Sequence, residues 1–164
     1  MPQRFWLFKT EPTAYSIDDL ARAPGLTTGW DGIRSSEARN FLRDQVAVGD
    51  LAFLYHSNAG PSSIVGIAEI VRAATPDPTA FDPKDVHFDP KSDRAKPTWF
   101  MVDVKLMEKL AQPVTLEQIK GDPALAAMAL VKRGRLSVTP VTLAEWKRVL
   151  ELSRGKARAA KRPA

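Results

Sequence analysis

DLAFLYHSNAGPSSIVGIAEIVRAA, residues 50–74, contains two apolar runs separated by a short polar segment. The runs at 50–57 and 64–74 are both too apolar for strands with one face in water. The segment between them consists mainly of Asn, Gly, Pro and Ser, which are the residues that form turns. The pattern predicts a β-hairpin through the middle of a sheet.

Further strands are predicted on both sides of this hairpin: RFWLFK at 4–9, TWFMVDVKLMEKL at 98–110, and LSVTPV at 136–141 with a proline near its end. Short helical segments are predicted at 16–23, 35–46, 115–120 and 122–130, and after Thr142. Capping boxes support two helix starts, Ser16 with Asp19 and Thr142 with Glu145. Helices between adjacent strands are too few for a doubly wound sheet, so we predict an α+β fold, a small curved sheet or barrel of about five strands with peripheral helices.

Composition and charge exclude several classes of protein. With no cysteine, the chain has no disulfides, thiolate nucleophiles or cysteine-based zinc site. Apolar runs are too short to cross a membrane, so we expect a cytoplasmic protein, nucleoid-associated if it binds DNA. The net charge is +5, and residues 151–164 hold five basic side chains against one acidic one. We predict a domain over 1–152 and a basic, disordered tail over 153–164, which either attracts phosphates or only solubilises the chain.

The segment at residues 75–97, called the excursion below, differs in kind from the rest. It holds five prolines, five aspartates and two phenylalanines, and it has neither a helical nor a strand period. Its aromatic residues are not typical of disordered chain. We therefore predict a long but ordered connection.

Several separated blocks together resemble the EVE domain. They are WLFKTEPTAYSIDDL, GWDGIRSSEARNFLR, VGDLAFLYHSN, IVGIAEIV, PTWFMVDV and VKRGRLSVTPVT, and they span roughly residues 4–150. The resemblance implies a PUA-like curved mixed β-barrel of five to six strands, related to the YTH and ASCH domains.

The resemblance also implies a nucleic-acid reader that accepts a modified base, for example methylated cytosine or adenine, in an aromatic pocket. Such a base leaves its stack, lies against aromatic rings and is identified by hydrogen bonds on its pairing edge. Stacking on an aromatic side chain is worth about 1–3 kcal/mol per base. The site therefore needs exposed rings, fixed polar groups and cations for phosphate.

The turn GWDGIR supplies the first candidates for base binding, Trp30, Asp31 and Arg34. Trp30 stands in a turn with no regular element to bury it, so it forms either a cage wall or a plug for the barrel mouth. Trp99, at the start of a strand, is either a second ring of the pocket or a packing residue. Ser35 stands where the family has asparagine, which suggests a different specificity if that asparagine contacts the ligand.

Two strand ends supply the polar candidates. Lys9, Thr10 and Glu11 close the first strand and match the family pattern KTEP, and they form either a ligand contact or a solvated charge pair. His56, Ser57 and Asn58 lie at the end of the strand predicted at 50–57, where they form a second rim. A hydrolase is disfavoured, because neighbouring strand residues point to opposite faces and no nucleophile elbow is present.

The run KRGRLSV supplies Lys132, Arg133 and Arg135 as candidates for phosphate binding, or as solvated charges. We expect no cofactor, no metal site and no membrane partner. The prediction is a monomeric domain that binds a modified base in DNA or RNA without catalysis. The alternatives are an enzyme acting on a nucleotide, with His56 or Glu11 as acid or base, and a protein-interaction module that uses the excursion.

Overall fold

The computed structural model describes the backbone of residues 2–161 and the side chains of residues 2–155. It contains one mixed sheet with the strand order β2-β5-β4-β3-β1-β6. The strands are β1 (Phe5–Thr10), β2 (Thr27–Gly29), β3 (Leu51–His56), β4 (Ser63–Pro76), β5 (Phe100–Thr115) and β6 (Val138–Val141). The predicted α+β class with five to six strands and peripheral helices is confirmed, although the sheet is open, with β2 and β6 at its edges.

The two long strands of the sheet pair irregularly. Strands β4 and β5 pair antiparallel along most of their length, and the register shifts at four places, including one between Ile70 and Arg72. Such irregularities bend and twist a strand pair. The predicted central hairpin is β3 with β4, and β1 lies parallel to β3 on its other side.

Five α-helices lie around the sheet in the described part of the chain: α1 (Ile17–Arg22), α2 (Ser36–Asp44), α3 (Leu116–Lys120), α4 (Ala129–Lys132) and α5 (Leu143–Lys161). Ser16 and Asp19 form the predicted capping box of α1, and Ser35 caps α2 by accepting from the Ala38 amide. The helical piece predicted at 122–130 is a 3-10 turn at Pro123–Leu125 followed by α4.

Helix α5 crosses the predicted boundary between domain and tail. Ser153 is buried, and Arg154 lies 3.6 Å from the Glu108 carboxylate, so the chain does not become disordered at residue 153 as predicted. The last residues of the predicted tail, 162–164, lie outside the described residues. None of the helices that the structure describes is long and apolar enough to cross a membrane.

Strand β1 is buried on both faces, which explains its continuous apolar sequence. Trp6 and Phe8 belong to one core cluster with Trp30, whereas Leu7 belongs to the other cluster with Phe53. Trp146 of α5 stacks on Phe53 with ring centroids 3.8 Å apart. These two packed faces fix the position of the C-terminal end of β1, where the polar residues follow.

The excursion is ordered by a hydrogen bond that recurs between an aspartate side chain and the backbone. In five places an aspartate carboxylate accepts a hydrogen bond from the backbone N–H two residues later, at 2.8–3.0 Å. The pairs are Asp77 with Thr79, Asp82 with Lys84, Asp85 with His87, Asp89 with Lys91, and Asp93 with Ala95. Such Asx turns replace the hydrogen bonds of helix and sheet. The prediction of a long ordered connection is therefore confirmed.

Candidate nucleic-acid interface

A cavity of about 400 Å³ lies between the end of β1, the turn after β2 and the excursion. Five of the predicted base-binding residues line it: Lys9, Thr10, Glu11, Trp30 and Asp31. The same wall includes residues that were not predicted: Ala14, Tyr15, Thr28, Gly29, Gly32, Ile33, His87 and Ser137. The cavity thus joins segments from both halves of the sequence.

Trp30 is a core residue and a cavity wall at once. It is only 6% exposed, so the prediction of an exposed ring in the turn is wrong. Its ring packs against the Phe8 ring, with centroids 5.8 Å apart. It meets the Tyr15 ring edge-on, with centroids 6.2 Å apart and an interplanar angle of 88°. The backbone N–H of Trp30 donates to the Val102 carbonyl of β5 at 2.7 Å, which holds the turn against the sheet. Trp30 and Tyr15 therefore form a rigid aromatic corner.

The side chains that follow β1 are held individually. Lys9 Nζ donates to the Gly134 carbonyl at 2.8 Å, and partial burial lowers the pKa of Lys9. Thr10 Oγ1 donates to the Tyr15 carbonyl at 2.8 Å, and the Glu11 carboxylate accepts from Asn58 Nδ2 at 2.8 Å. Lys9 and Glu11 thus have separate partners and do not form the solvated charge pair considered above. Their polar groups are positioned at the cavity.

Asp31 brings a second carboxylate to the cavity. Desolvation raises the pKa of Asp31, and the nearby Asp77 carboxylate adds to the increase. The residue as a whole is nevertheless exposed at the cavity mouth. A carboxyl group in this environment can accept a hydrogen bond from a base amine.

His87 closes the cavity from the excursion. Its imidazole lies so close to Gly32 that a Cβ there would come within 2.7 Å of the ring, and Gly32 has φ +80°. The positive φ favours glycine at residue 32, and any larger residue would also have to displace the His87 ring. His87 Nδ1 lies 3.2 Å from the Asp85 carboxylate. Nothing in the sequence pattern connects residues 32 and 87, so His87 was not predicted.

Arg34 and Trp99 lie outside the cavity, behind His87. All five N–H groups of Arg34 are used: they donate to Asp77 Oδ2, Thr79 Oγ1, the Ile33 carbonyl and, twice, the His87 carbonyl, at 2.8–3.0 Å. The guanidinium lies 5.3 Å from the centre of the Trp99 ring, and Trp99 Nε1 donates to Asp89 at 2.7 Å. The structure therefore uses these two predicted ligand contacts to hold the excursion.

Asp77 is the buried partner of Arg34. Its side chain is fully inaccessible to solvent. Burial alone raises the pKa of Asp77, but hydrogen bonds from Thr79, Gly32 and Arg34 outweigh this effect and hold the pKa below its ordinary value. The excursion is thus attached to the cavity turn by a charged pair whose hydrogen-bonding capacity is largely satisfied.

The second predicted rim does not line the cavity. His56 Nε2 accepts from the Ile17 N–H at 3.1 Å, and burial lowers the pKa of His56. The Ser57 N–H donates to the Thr10 carbonyl at 3.0 Å and so extends the pairing of β1 with β3. Asn58 has φ 49° and reaches the cavity only through Glu11. These residues support the end of β1.

The predicted phosphate-binding residues lie beside the cavity on the segment before β6. Lys132, Arg133 and Arg135 are exposed. Arg133 makes a two-point ion pair with Glu37 of α2, and Arg135 lines a neighbouring depression of about 310 Å³. The segment continues to Ser137 in the cavity wall. A cationic surface therefore adjoins the cavity.

Comparison with known proteins gives consistent results. The sequence model of the EVE domain matches residues 4–152. Thymocyte nuclear protein 1 of Gallus gallus is 41% identical over 169 residues, covering 92% of this chain and 69% of that protein. A hypothetical protein from Leishmania major has a TM-score of 0.91 at 41% identity, covering 96% and 98% of the two chains. Human THYN1, crystallised in complex with DNA containing 5-methylcytosine, has a TM-score of 0.88 at 37% identity, covering 98% and 100%.

Proposed function

This chain belongs to the EVE domain family, and we propose that it binds DNA and holds one methylated cytosine in the cavity beside Trp30. The cavity carries the proposal: its volume of about 400 Å³ falls among those of small-ligand pockets. It also combines an aromatic corner with fixed polar groups, which is the combination that a flipped base requires. The complex of human THYN1 with DNA containing 5-methylcytosine supports the same class of ligand.

The polar groups of the cavity suit the pairing edge of cytosine. The exocyclic amine of cytosine is a hydrogen-bond donor, and Glu11 and Asp31 offer carboxylate acceptors. The ring would lie in the corner made by Trp30 and Tyr15, where stacking contributes about 1–3 kcal/mol. A base would therefore gain both apolar contact and an amine-specific hydrogen bond.

The cationic segment before β6 would bind the phosphates next to the extracted nucleotide. Arg135 is exposed beside the cavity, while Arg133 would exchange Glu37 for a phosphate. Each phosphate contact adds to the salt dependence of binding. Charge reversal at Arg135 is expected to flatten that dependence by about one unit of slope, and an unchanged slope would count against this role.

We propose a binding protein rather than an enzyme. His56 Nε2 accepts from a backbone N–H and does not line the cavity. Glu11 does line it, but its carboxylate is held by Asn58. A general acid or base must reach its proton directly or through one water. His56 is separated from the cavity by the end of β1 and has no such access to a bound base.

The test is a titration of matched oligonucleotides that carry cytosine or 5-methylcytosine. Wild type is compared with Glu11→Gln and Tyr15→Ala, and with Glu117→Gln, an exposed glutamate on α3, as control. Wild type and the control should prefer the methylated strand, and both cavity variants should bind it at least about fivefold more weakly. Equal affinity of wild type for both strands would overturn the proposal.

A further inference from the structure

The excursion presents one apolar side chain almost completely to solvent. Val86 is 93% exposed, more than any other large hydrophobic residue in the described part of the chain. An isolated exposed valine is ordinary on a protein surface. Val86 is different because the turn that carries it is fixed.

The turn that carries Val86 is fixed by two hydrogen bonds within it and by two more from Arg34. The Phe88 N–H donates to the Asp85 carbonyl at 3.0 Å, and the His87 N–H donates to the Asp85 carboxylate at 2.8 Å. Arg34 holds the His87 carbonyl through two further hydrogen bonds. Val86 is therefore presented by a backbone that cannot easily fold the side chain back onto the protein.

Val86 is also adjacent to the cavity. The next residue, His87, lines both the cavity and a second depression of about 320 Å³ that includes Val86, Phe88 and Trp99. A base held in the cavity would therefore lie on one side of His87, with Val86 on the other. The exposed valine is thus one residue from the cavity wall in which the proposed function places the base.

Extraction of a base leaves a gap in the duplex. The cost is a few kcal/mol of lost stacking and pairing. Several DNA-binding proteins insert apolar side chains between neighbouring base steps, so apolar surface can be accommodated inside a duplex whose stacking is already broken. A rigid, exposed and apolar side chain beside the pocket has the properties needed for such an insertion.

We propose that Val86 enters the duplex and occupies the space that the extracted base leaves. The inference rests on the proposed function and identifies the partner as double-stranded rather than single-stranded DNA. Insertion fills the gap with apolar surface and hinders the return of the base. The nearby Lys84 is exposed on the same turn and can approach the flanking phosphate.

The experiment compares wild type, Val86→Ala, Val86→Leu and Val48→Ala. Val48 is a second exposed valine, outside the excursion, and serves as the matched control. Each protein is titrated with a methylated duplex, the same duplex with a mismatch opposite the methylated base, and the methylated single strand. Because Val86 is exposed, its truncation should leave folding unchanged.

We expect Val86→Ala to weaken binding to the matched duplex by about five- to tenfold and to leave single-strand affinity within about twofold. The loss should shrink on the mismatched duplex, where extraction costs less. Val86→Leu and Val48→Ala should bind like wild type. If Val86→Ala lost equal affinity for single and double strands, or lost none for the duplex, the insertion would be overturned. The proposed function would still stand in that case, provided that wild type preferred methylated DNA. If wild type had no such preference in any form, the proposed function itself would fail.

Discussion

The two walls of the cavity are built in opposite ways. The sheet wall, Lys9–Glu11 with Trp30, stands on buried strands and the main core. The excursion wall, His87, stands on an irregular segment whose aspartates form turns and whose contact with the domain depends on Arg34. The sheet wall therefore shares the stability of the whole fold, whereas the excursion wall has a local stability set by a few polar contacts.

The largest expected effect is on the sheet wall. Trp30→Ala removes a 6% exposed ring from the core and should lower the free energy of unfolding by about 3–5 kcal/mol. The loss should be global, so urea unfolding followed by circular dichroism will show a lower midpoint. Trp30→Phe, which keeps an aromatic ring, should lose much less. A small loss in Trp30→Ala would mean that the turn is not part of the core.

A smaller and more local effect is expected at the excursion wall. Arg34→Met leaves the Asp77 carboxylate buried without its cation, at a cost of about 3 kcal/mol. Hydrogen exchange should accelerate in residues 77–89 while β3 and β4 keep their protection. Arg43→Met, at an exposed position on α2, is the control. Equal acceleration across the sheet would contradict the separation of the two walls.

The contact between the walls gives a third prediction. Gly32→Ala places a side chain at φ +80° and against the His87 ring, which should cost about 1–2 kcal/mol. Affinity for the methylated strand should fall as His87 is displaced. Gly49→Ala is a matched control, because Gly49 also has a positive φ, +94°, but lies outside the cavity wall and a Cβ there meets no atom within 4 Å. Identical binding by the two variants would remove His87 from the site.

Lowering the pH should reduce the stability of the excursion wall, and by less than the substitutions above. Because the folded-state pKa of Asp77 is depressed, the stability that it contributes is present above the unfolded pKa of about 3.9 and is lost as the pH falls through the folded pKa. Wild type should therefore lose more stability than Asp77→Asn between about pH 5 and about pH 2. Urea midpoints at several pH values measure the difference. Parallel curves for the two proteins would contradict the role of Asp77.

The sheet wall was largely predictable because its signals are local. Apolar runs identified β1, β3, β4 and β5, and the capping boxes of α1 and α5 marked two helix starts. Strand β2 was missed because its three residues are too short to show a period. The burial of Trp30 was missed because it depends on that strand and on a hydrogen bond to Val102.

The excursion wall was predictable only as an ordered segment. The residue that it brings to the cavity, His87, meets Gly32 across more than fifty positions of sequence, and no spacing rule connects them. Arg34 was expected at the ligand because arginine often binds phosphate. In the structure its guanidinium instead pairs with the buried carboxylate of Asp77, 3.0 Å away. Tyr15, by contrast, carried a usable signal as an aromatic residue directly after KTEP.

The most direct test of the cavity uses the four tryptophans of the chain as internal probes. Their indole N–H signals are followed by NMR while a short 5-methylcytosine DNA duplex is added. We expect a large shift for Trp30, which lines the cavity, and little change for Trp6 and Trp146, which lie in the core away from it. Saturable binding that leaves the Trp30 signal in place would contradict the account.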